Sequence, residues 1–395
     1  MVVADLTHAY HATSGGIRTF VDLKRRYLLE HTDHTHVLVV PGETDRIERG
    51  DRWLTLTVAA PRLPGGSTYR FWLREAGLKR VLAYAAPDVV EMSTYYAPAE
   101  HRAAYAWRRS ARRAGRRAFA TIHYHTDFAE SYVQTYTRPI IGPLATPLTA
   151  AARRYVRSVL GRADDVMTLA PMFVRQLRTF GVDDVALVPQ FVDLDHFSPA
   201  RRTLAVRERL SLAPDALFLL YFGRFDSEKH VETLLEMVDR LPATLSPTLV
   251  LAGDGPMRPQ LEARASQSDR LVVLPYLSDR RALAEMLASA DVYVTAGPHE
   301  VAAFSVVEAQ AAGQPVVGVA LGGLLDRVDD TIGALVPVDD SAAMAEAVTR
   351  IAADRDGFSS RARAHAEAHY SWLRCYEVIL ARYDALLARD GGTGA

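Results

Sequence analysis

Phe218-Leu219-Leu220-Tyr221-Phe222 is an apolar run that leads into a glycine and a cation, Gly223-Arg224. A short run that is apolar at every position suits a strand covered on both faces, as in a parallel sheet. Val231–Leu241 comes next, with helical spacing. The alternation then repeats: strand Thr248–Ala252, helix Pro259–Ala265, strand Leu271–Leu274, helix Arg281–Ser289, strand Val292–Thr295, helix Val306–Ala312 and strand Pro315–Val319. Strands of this kind, each followed by a helix, predict βαβ units with right-handed crossovers and a doubly wound domain.

The first half repeats the pattern less regularly. Val37–Val40, Leu54–Val58, Val89–Met92, Phe119–His123 and Val166–Leu169 read as strands, and Gly16–Leu29 and Arg70–Ala85 as helices. The junction is placed near Pro189–Pro199, where Pro, Asp and Phe interrupt the alternation. The expected organisation is therefore 1–190, 191–370 and a C-terminal helical segment over 371–390. In that last segment Trp372, Tyr376, Ile379, Leu380 and Tyr383 form one stripe of a helix Trp372–Leu387. Ligands of open α/β sheets bind beyond the carboxyl ends of the strands, so functional motifs should lie just after strands.

Composition narrows the function classes. The chain has 395 residues, 49% hydrophobic and 24% charged, with Lys+Arg 46 against Asp+Glu 47. A net charge of −1 provides no global field for nucleic acid, and no nucleic-acid partner is expected. One cysteine, Cys375, excludes an internal disulfide and a Cys-based metal centre, and suits a reducing compartment. Met1–Tyr10 carries Asp5 and His8 and lacks the pattern of an export signal. The uncharged stretch Pro139–Ala152 holds three prolines and two threonines and is no bilayer span. A cytoplasmic location is expected, with the inner face of the membrane as its alternative surface.

The most specific motif runs from Gly297-Pro298-His299-Glu300 through Phe304-Ser305 to Glu308 and Gly313-Gln314-Pro315. Eight residues of helix would separate two glutamates by ~12 Å, so Glu300 and Glu308 cannot share one proton. They suit different parts of an extended ligand. The helix N-terminus at Ala303, Phe304 and Ser305 offers backbone N–H groups to phosphate. Upstream, Gly223-Arg224-Phe225-Asp226-Ser227-Glu228-Lys229 puts an arginine and a lysine beyond a strand end, where they can neutralise a departing diphosphate.

These two segments resemble the glutamate motif and the Gly-Arg-x-x-x-x-Lys motif of the group 1 (family 4) retaining glycosyltransferases. The resemblance covers most of the chain and implies the GT-B fold, two Rossmann-like doubly wound domains facing each other across a cleft. The N-terminal domain would bind the acceptor, the C-terminal domain the nucleotide-diphosphate sugar, and the last helix would cross back to the N-terminal domain. By resemblance, Arg224 and Lys229 stabilise the leaving diphosphate, Glu300 holds the donor sugar and Glu308 the ribose. Ala302 and Ala303 stand where the family usually has Phe and Gly.

Further segments fit the same frame. Ser14-Gly15-Gly16-Ile17 matches the family's N-terminal glycine loop, with Gly15 and Gly16 close to phosphate. Gly253 and Gly255 of Ala252-Gly253-Asp254-Gly255-Pro256 have a turn role first and a donor contact second. Gly322-Gly323 marks another loop near the donor. In Thr121-Ile122-His123-Tyr124-His125-Thr126-Asp127, His125 matches the active-site histidine, with His123 as its rival; a zinc site there is the less favoured reading. Asp193-Leu194-Asp195 reads as a linker turn rather than a metal motif. No metal and no cofactor is required on this reading; the nucleotide sugar is a substrate. Arg102–Arg117 carries seven arginines interleaved with aromatics, and is either a solvated helix or a contact with an acidic membrane surface. Tyr95 and Tyr96 either stack on an acceptor sugar or belong to the core.

The family implies retention at the anomeric carbon. GDP-mannose is the first expectation for the donor and UDP-glucose the second, with a glycan or lipid-linked acceptor. Two other classes fit the same residues: a sugar-nucleotide epimerase or hydrolase, and a non-catalytic nucleotide-sugar-binding partner subunit.

Overall fold

The computed structural model describes residues 1–11, 16–62, 70–298, 300 and 303–389. The chain divides into two units, Met1–Val188 with the residues from Leu373 onward, and Pro189–Trp372. It passes from one to the other twice, at Val188/Pro189 and at Trp372/Leu373.

The first unit holds an eight-stranded sheet: β1 (Val2–Leu6), β2 (Thr35–Gly42), β3 (Arg46–Arg49), β4 (Trp53–Ala59), β5 (Val89–Met92), β6 (Phe119–His123), β7 (Asp165–Thr168) and β8 (Ala186–Leu187). Their order is β3-β4-β2-β1-β5-β6-β7-β8, and every pairing is parallel except β3 with β4. The sheet winds outward in both directions from β1, so the strand order reverses between β1 and β5. The second unit holds β9 (Phe218–Arg224), β10 (Thr248–Asp254), β11 (Leu271–Leu274), β12 (Val292–Val294), β13 (Val316–Val319) and β14 (Gly333–Val336). All are parallel in the order β11-β10-β9-β12-β13-β14, with the reversal between β9 and β12.

Packing results from the apolar pattern. Phe218, Leu219 and Leu220 are fully buried and share one core cluster with Val231, Leu234, Met237 and Val238, the apolar stripe of the helix Val231–Arg240. The C-terminal helix Trp372–Arg389 packs on the first unit, where the Tyr376 hydroxyl donates to Phe20 O at 2.6 Å and Arg382 forks onto both Asp165 oxygens at 2.6 and 2.7 Å.

Several elements differ from the expectation. Met1–Tyr10 contains β1, the pivot of the first sheet; its Asp5 interrupts the apolar pattern because that carboxylate is buried in an ion network. The helix expected over Arg70–Ala85 spans only Ala76–Ala85. Strand Gly333–Val336 and the helices Ala145–Leu160, Ser341–Ala352 and Arg355–His369 add to those expected.

Candidate functional site

In the second unit the reversal of strand order brings the ends of β9 and β12 side by side, and a ligand crevice forms at such a switch point. Arg224 closes β9. The chain then makes a short turn through Ser227–Lys229, and His230 takes φ 47° before the next helix. Lys229 Nζ donates to Glu300 Oε1 at 2.6 Å, so the cation after β9 and the acid after β12 meet. Arg224 lies across its own loop, 3.0 Å from Asp226 and 3.3 Å from Glu228. Its side chain is 66% exposed, so an incoming anion can reach it, whereas Asp226 and Glu228 are only 18% and 36% exposed.

The backbone under these charges is closely fitted. A Cβ on Gly253 would stand 1.8 Å from Gly223 O, and one on Gly255 would stand 2.4 Å from Phe225 O. Both glycines therefore let β10 and its turn lie against the Arg224 loop, which is the turn role. Gly322, at φ 65°, sits beneath Glu300, and Gly323 N donates to Glu300 O at 2.6 Å. The loop after β13 thus holds the Glu300 backbone, a role that glycine content alone did not reveal.

Ala303 precedes the helix Phe304–Ala311 in the left-handed region, at φ 48°, and is buried. That conformation costs an L-residue ~1–2 kcal/mol, which a glycine avoids. The family's usual glycine at this position therefore has a backbone reason. Phe304 packs its ring on Phe191 at 5.3 Å, and the Ser305 side chain hydrogen-bonds Tyr293. Phe304 and Ser305 lie in the first turn, whose N–H groups have no partner within the helix. Glu308, further along the same helix, is buried, and burial raises its pKa against the opposing charge of Arg280 at 3.4 Å.

In the first unit His125 lies just past β6. Its ring stacks on His123 at 4.2 Å and meets the Phe20 ring edge-on at 5.0 Å. Its Nε2 is buried without a hydrogen-bond partner among the described residues. Burial, and then the Lys24 charge, push its pKa down to about 3. Below pH ~6.5 the unfolded chain takes up a proton that the folded ring refuses, so this ring costs stability as pH falls and nothing above that range. We expect the His125 Hε1 resonance to stay at its neutral position from about pH 8 to about pH 5. A midpoint near ~6.5 would show the ring to be solvated. His123 is fully buried, and its two ring nitrogens likewise have no hydrogen-bond partner among the described residues, Nδ1 standing 3.9 Å from Glu91 Oε1.

Other expectations resolve individually. Ser14, Gly15 and Ala302 lie outside the described residues, whereas Gly16 opens the helix Gly16–His31. Tyr95 is core: it is fully buried, stacks on Tyr124 at 5.1 Å and donates to Thr126 O. Tyr96 stacks on Phe128 at 5.1 Å, and its hydroxyl lies 3.4 Å from His8 Nε2. Asp193 Oδ1 accepts from His196 N at 2.9 Å, the hydrogen bond of a turn. Among the described residues no group of three or more His, Cys, Asp or Glu side chains is gathered for a metal ion. Of the basic stretch, Arg108 and Arg112 pair with Asp164, Arg116 donates to Ala86 O and Arg117 to Leu387 O.

The sequence reading passed over a polar group at the switch point of the first sheet. His8 Nδ1 lies 2.5 Å from Glu100 Oε1, and the Thr94 hydroxyl donates to Glu100 Oε2 at 2.5 Å. The legible signal was a histidine just after the pivot strand, which the missed strand concealed. A cavity of about 520 Å³ lies elsewhere, at the opposite ends of β9 and β12, where Asp291 pairs with Arg202, Arg207 and Arg355. Asp354 and Asp356 also line it, so its charges balance and it is no anion site.

Two family descriptions match the chain: Glycosyltransferase Family 4 over residues 14–196 and Glycosyl transferases group 1 over residues 204–369. A GDP-mannose-dependent alpha-mannosyltransferase of Mycobacterium tuberculosis is 30% identical over 377 residues, covering 92% of each chain. A GDP-mannose-dependent alpha-(1-6)-phosphatidylinositol dimannoside mannosyltransferase of the same organism is 29% identical, covering 98% of this chain and 97% of that protein. Among solved structures, sucrose-phosphate synthase from Thermosynechococcus elongatus has the same fold, with a TM-score of 0.75 at 20% identity over 98% of this chain and 99% of that one. With two Rossmann-like units of the GT-B architecture and relatives alike over nearly their full length, the chain belongs to the group 1 (family 4) glycosyltransferases and is a nucleotide-sugar-dependent transferase.

Proposed function

We propose that the protein transfers mannose from GDP-mannose, with retention, to a hydroxyl of a lipid-linked glycan. The observation that carries the donor assignment is likeness over nearly the whole chain to two enzymes described as GDP-mannose-dependent. The acceptor assignment leans on the one whose described acceptor is a mannosylated phosphatidylinositol.

The residues fit that chemistry. The acceptor oxygen bonds to the anomeric carbon on the face from which the diphosphate departs. The carbon–oxygen bond to the diphosphate breaks, its electron pair stays on the leaving phosphate, and that phosphate takes the acceptor's proton. Arg224 and Lys229 supply fixed positive charge to the departing group. Glu300, oriented by Lys229 and by Gly323 N, accepts hydrogen bonds from sugar hydroxyls. Glu308 accepts from the ribose. Phe304 and Ser305 present backbone N–H groups to phosphate, while Gly253 and Gly255 shape the turn beside them. Neutral His125 serves the sugar as a hydrogen-bonding group rather than as a cation.

A melting panel with GDP, UDP, ADP and their sugars tests the donor. A ligand at ~100 times its Kd adds ~2.7 kcal/mol of stability. We expect a shift with GDP and GDP-mannose, and Arg224→Ala should reduce the GDP shift more than the GDP-mannose shift, because the free diphosphate carries the extra charge of the departed group. A shift with UDP and UDP-glucose instead would reassign the donor. The anomeric proton coupling of the product then reports retention or inversion. Free mannose or an epimer without transfer to any acceptor would point to a hydrolase or epimerase.

A further inference from the structure

The largest group of exposed large apolar side chains close together in the described sequence lies in the first unit. Tyr132, Ile140, Ile141, Leu144 and Leu148 all lie within one short stretch of the first unit, and Ile140 is 81% and Leu144 70% exposed. The stretch is a bent tip. The helix Thr135–Ile141 stops at Gly142, which takes φ 55°, a single turn Gly142–Leu144 comes next, and the helix Ala145–Leu160 begins. Ala145, Thr149, Val156 and Val159 point inward and hold this last helix on the unit. The outward side of its first turns carries Pro147 and Leu148, where a water-facing helix would carry charge.

The charge pattern of the same stretch is one-sided. From Ser131 to Ala163 there is no Asp or Glu, whereas Arg138, Arg153, Arg154, Arg157 and Arg162 all fall inside it. Arg153 is engaged by Glu130, but Arg138 and Arg154 are exposed and flank the apolar residues Ile140–Leu148 in sequence. Arg102, the first cation of the long basic stretch, is also near, since its charge acts on Tyr155 of the same helix. Exposed aliphatic side chains flanked in sequence by arginines, with no acid from Ser131 to Ala163, complement a layer of acyl chains beneath anionic headgroups.

We infer that the tip Thr135–Leu148 is a membrane-docking surface, seating Ile140, Ile141, Leu144 and Leu148 among the acyl chains of a bilayer rich in acidic phospholipid, with Arg138 and Arg154 at the headgroups. This deepens the lipid-linked-acceptor reading and rests on it for its purpose, because a lipid-anchored acceptor is reached only at the bilayer surface.

Sedimentation with vesicles tests it, comparing phosphatidylcholine alone with phosphatidylcholine doped with phosphatidylinositol. The full chain is expected to bind the doped vesicles and to release them at high salt. Ile140→Glu with Leu144→Glu is expected to lower the partition coefficient by about 100-fold or more, since two buried aliphatic side chains are lost. Arg138→Gln with Arg154→Gln is expected to lower it about 30-fold on doped vesicles and little on neutral ones. A Leu144→Trp reporter should shift its emission to the blue on doped vesicles. The nucleotide-induced melting shift should be the same in parent and variants, which separates failure of this surface from failure of the donor reading. Equal vesicle binding by the parent and the Ile140→Glu/Leu144→Glu variant, or no binding by either, would overturn the proposal. So would a parent dimer that the same variant dissolves, since the tip would then be a contact between copies of this chain.

Discussion

Lys24→Met is expected to destabilise the first unit by about 3–5 kcal/mol, the cost of removing one partner from a buried ion pair. Lys24 sits on the helix Gly16–His31 with its side chain 1% exposed. Its Nζ lies 2.7 Å from Asp5 Oδ1 on β1 and 2.5 Å from Glu91 Oε1 on β5. One cation thus lies between two carboxylates on the two strands that flank the switch point. Burial pushes both acids up. For Asp5 the opposing pull of Lys24 and the hydrogen bond to His36 win, and its pKa falls to about 2. For Glu91 the burial and the neighbouring Asp5 charge win, and its pKa rises. The Tyr383 hydroxyl of the C-terminal helix donates to the other oxygen of Glu91, so the network also ties that helix to the sheet. Without Lys24, Asp5 keeps only His36 while buried, and Glu91 must stay protonated. Thermal and urea unfolding of the two proteins checks the value, with a melting shift of order ~10 °C expected. Adding Glu91→Gln to Lys24→Met should recover part of the loss, because one of the two stranded carboxylates is then neutral. A loss under ~1 kcal/mol would show that water reaches these carboxylates.

The second large effect falls on activity rather than stability. Arg224→Ala and Lys229→Ala are each expected to lower kcat by about 10²–10³, the range for removing one preorganised group from a site of developing charge. Each cation is held by carboxylates of its own unit, Arg224 by Asp226 and Glu228, Lys229 by Glu300. They are therefore in place before substrate arrives. The diphosphate gains charge as the sugar–phosphate bond breaks, so the loss should fall mainly on kcat and less on KM. Arg224 is mostly exposed, and its removal should leave the melting temperature nearly unchanged. Lys229→Ala also frees Glu300, so Lys229→Arg should restore activity in part while Lys229→Met should not. Steady-state kinetics with the donor varied at saturating acceptor separates these cases. A change confined to KM would mean that the cations bind the ground state and the transition state alike.

The legibility of the site differed from residue to residue, for physical reasons. Arg224, Lys229, Glu300 and Glu308 could be singled out as candidates because Arg224 closes an apolar strand and the others lie in the loop or helix that follows one, and strand ends in such sheets border the ligand crevice. Gly253 and Gly255 could be read as glycines but not as packing requirements, since the atoms they make room for, Gly223 O and Phe225 O, come from a different strand and its loop. The seven arginines of Arg102–Arg117 look alike in sequence, yet Asp164 engages two of them and backbone carbonyls two more. His8 and Glu100 lie far apart in the chain and join only because β1 and β5 are neighbours.

By itself, the sequence determined the α/β class, two doubly wound halves and the strand ends that carry the candidate donor residues. A parallel strand buried on both faces must be apolar throughout, and that pattern survives without any knowledge of its neighbours. Only the tertiary structure decided that Met1–Tyr10 contains the pivot strand, that Lys24 bridges Asp5 and Glu91, that Ala303 carries a left-handed backbone and that Ile140 and Leu144 remain in water. Each of these depends on which distant segment supplies, or fails to supply, a partner, and local composition does not encode that choice.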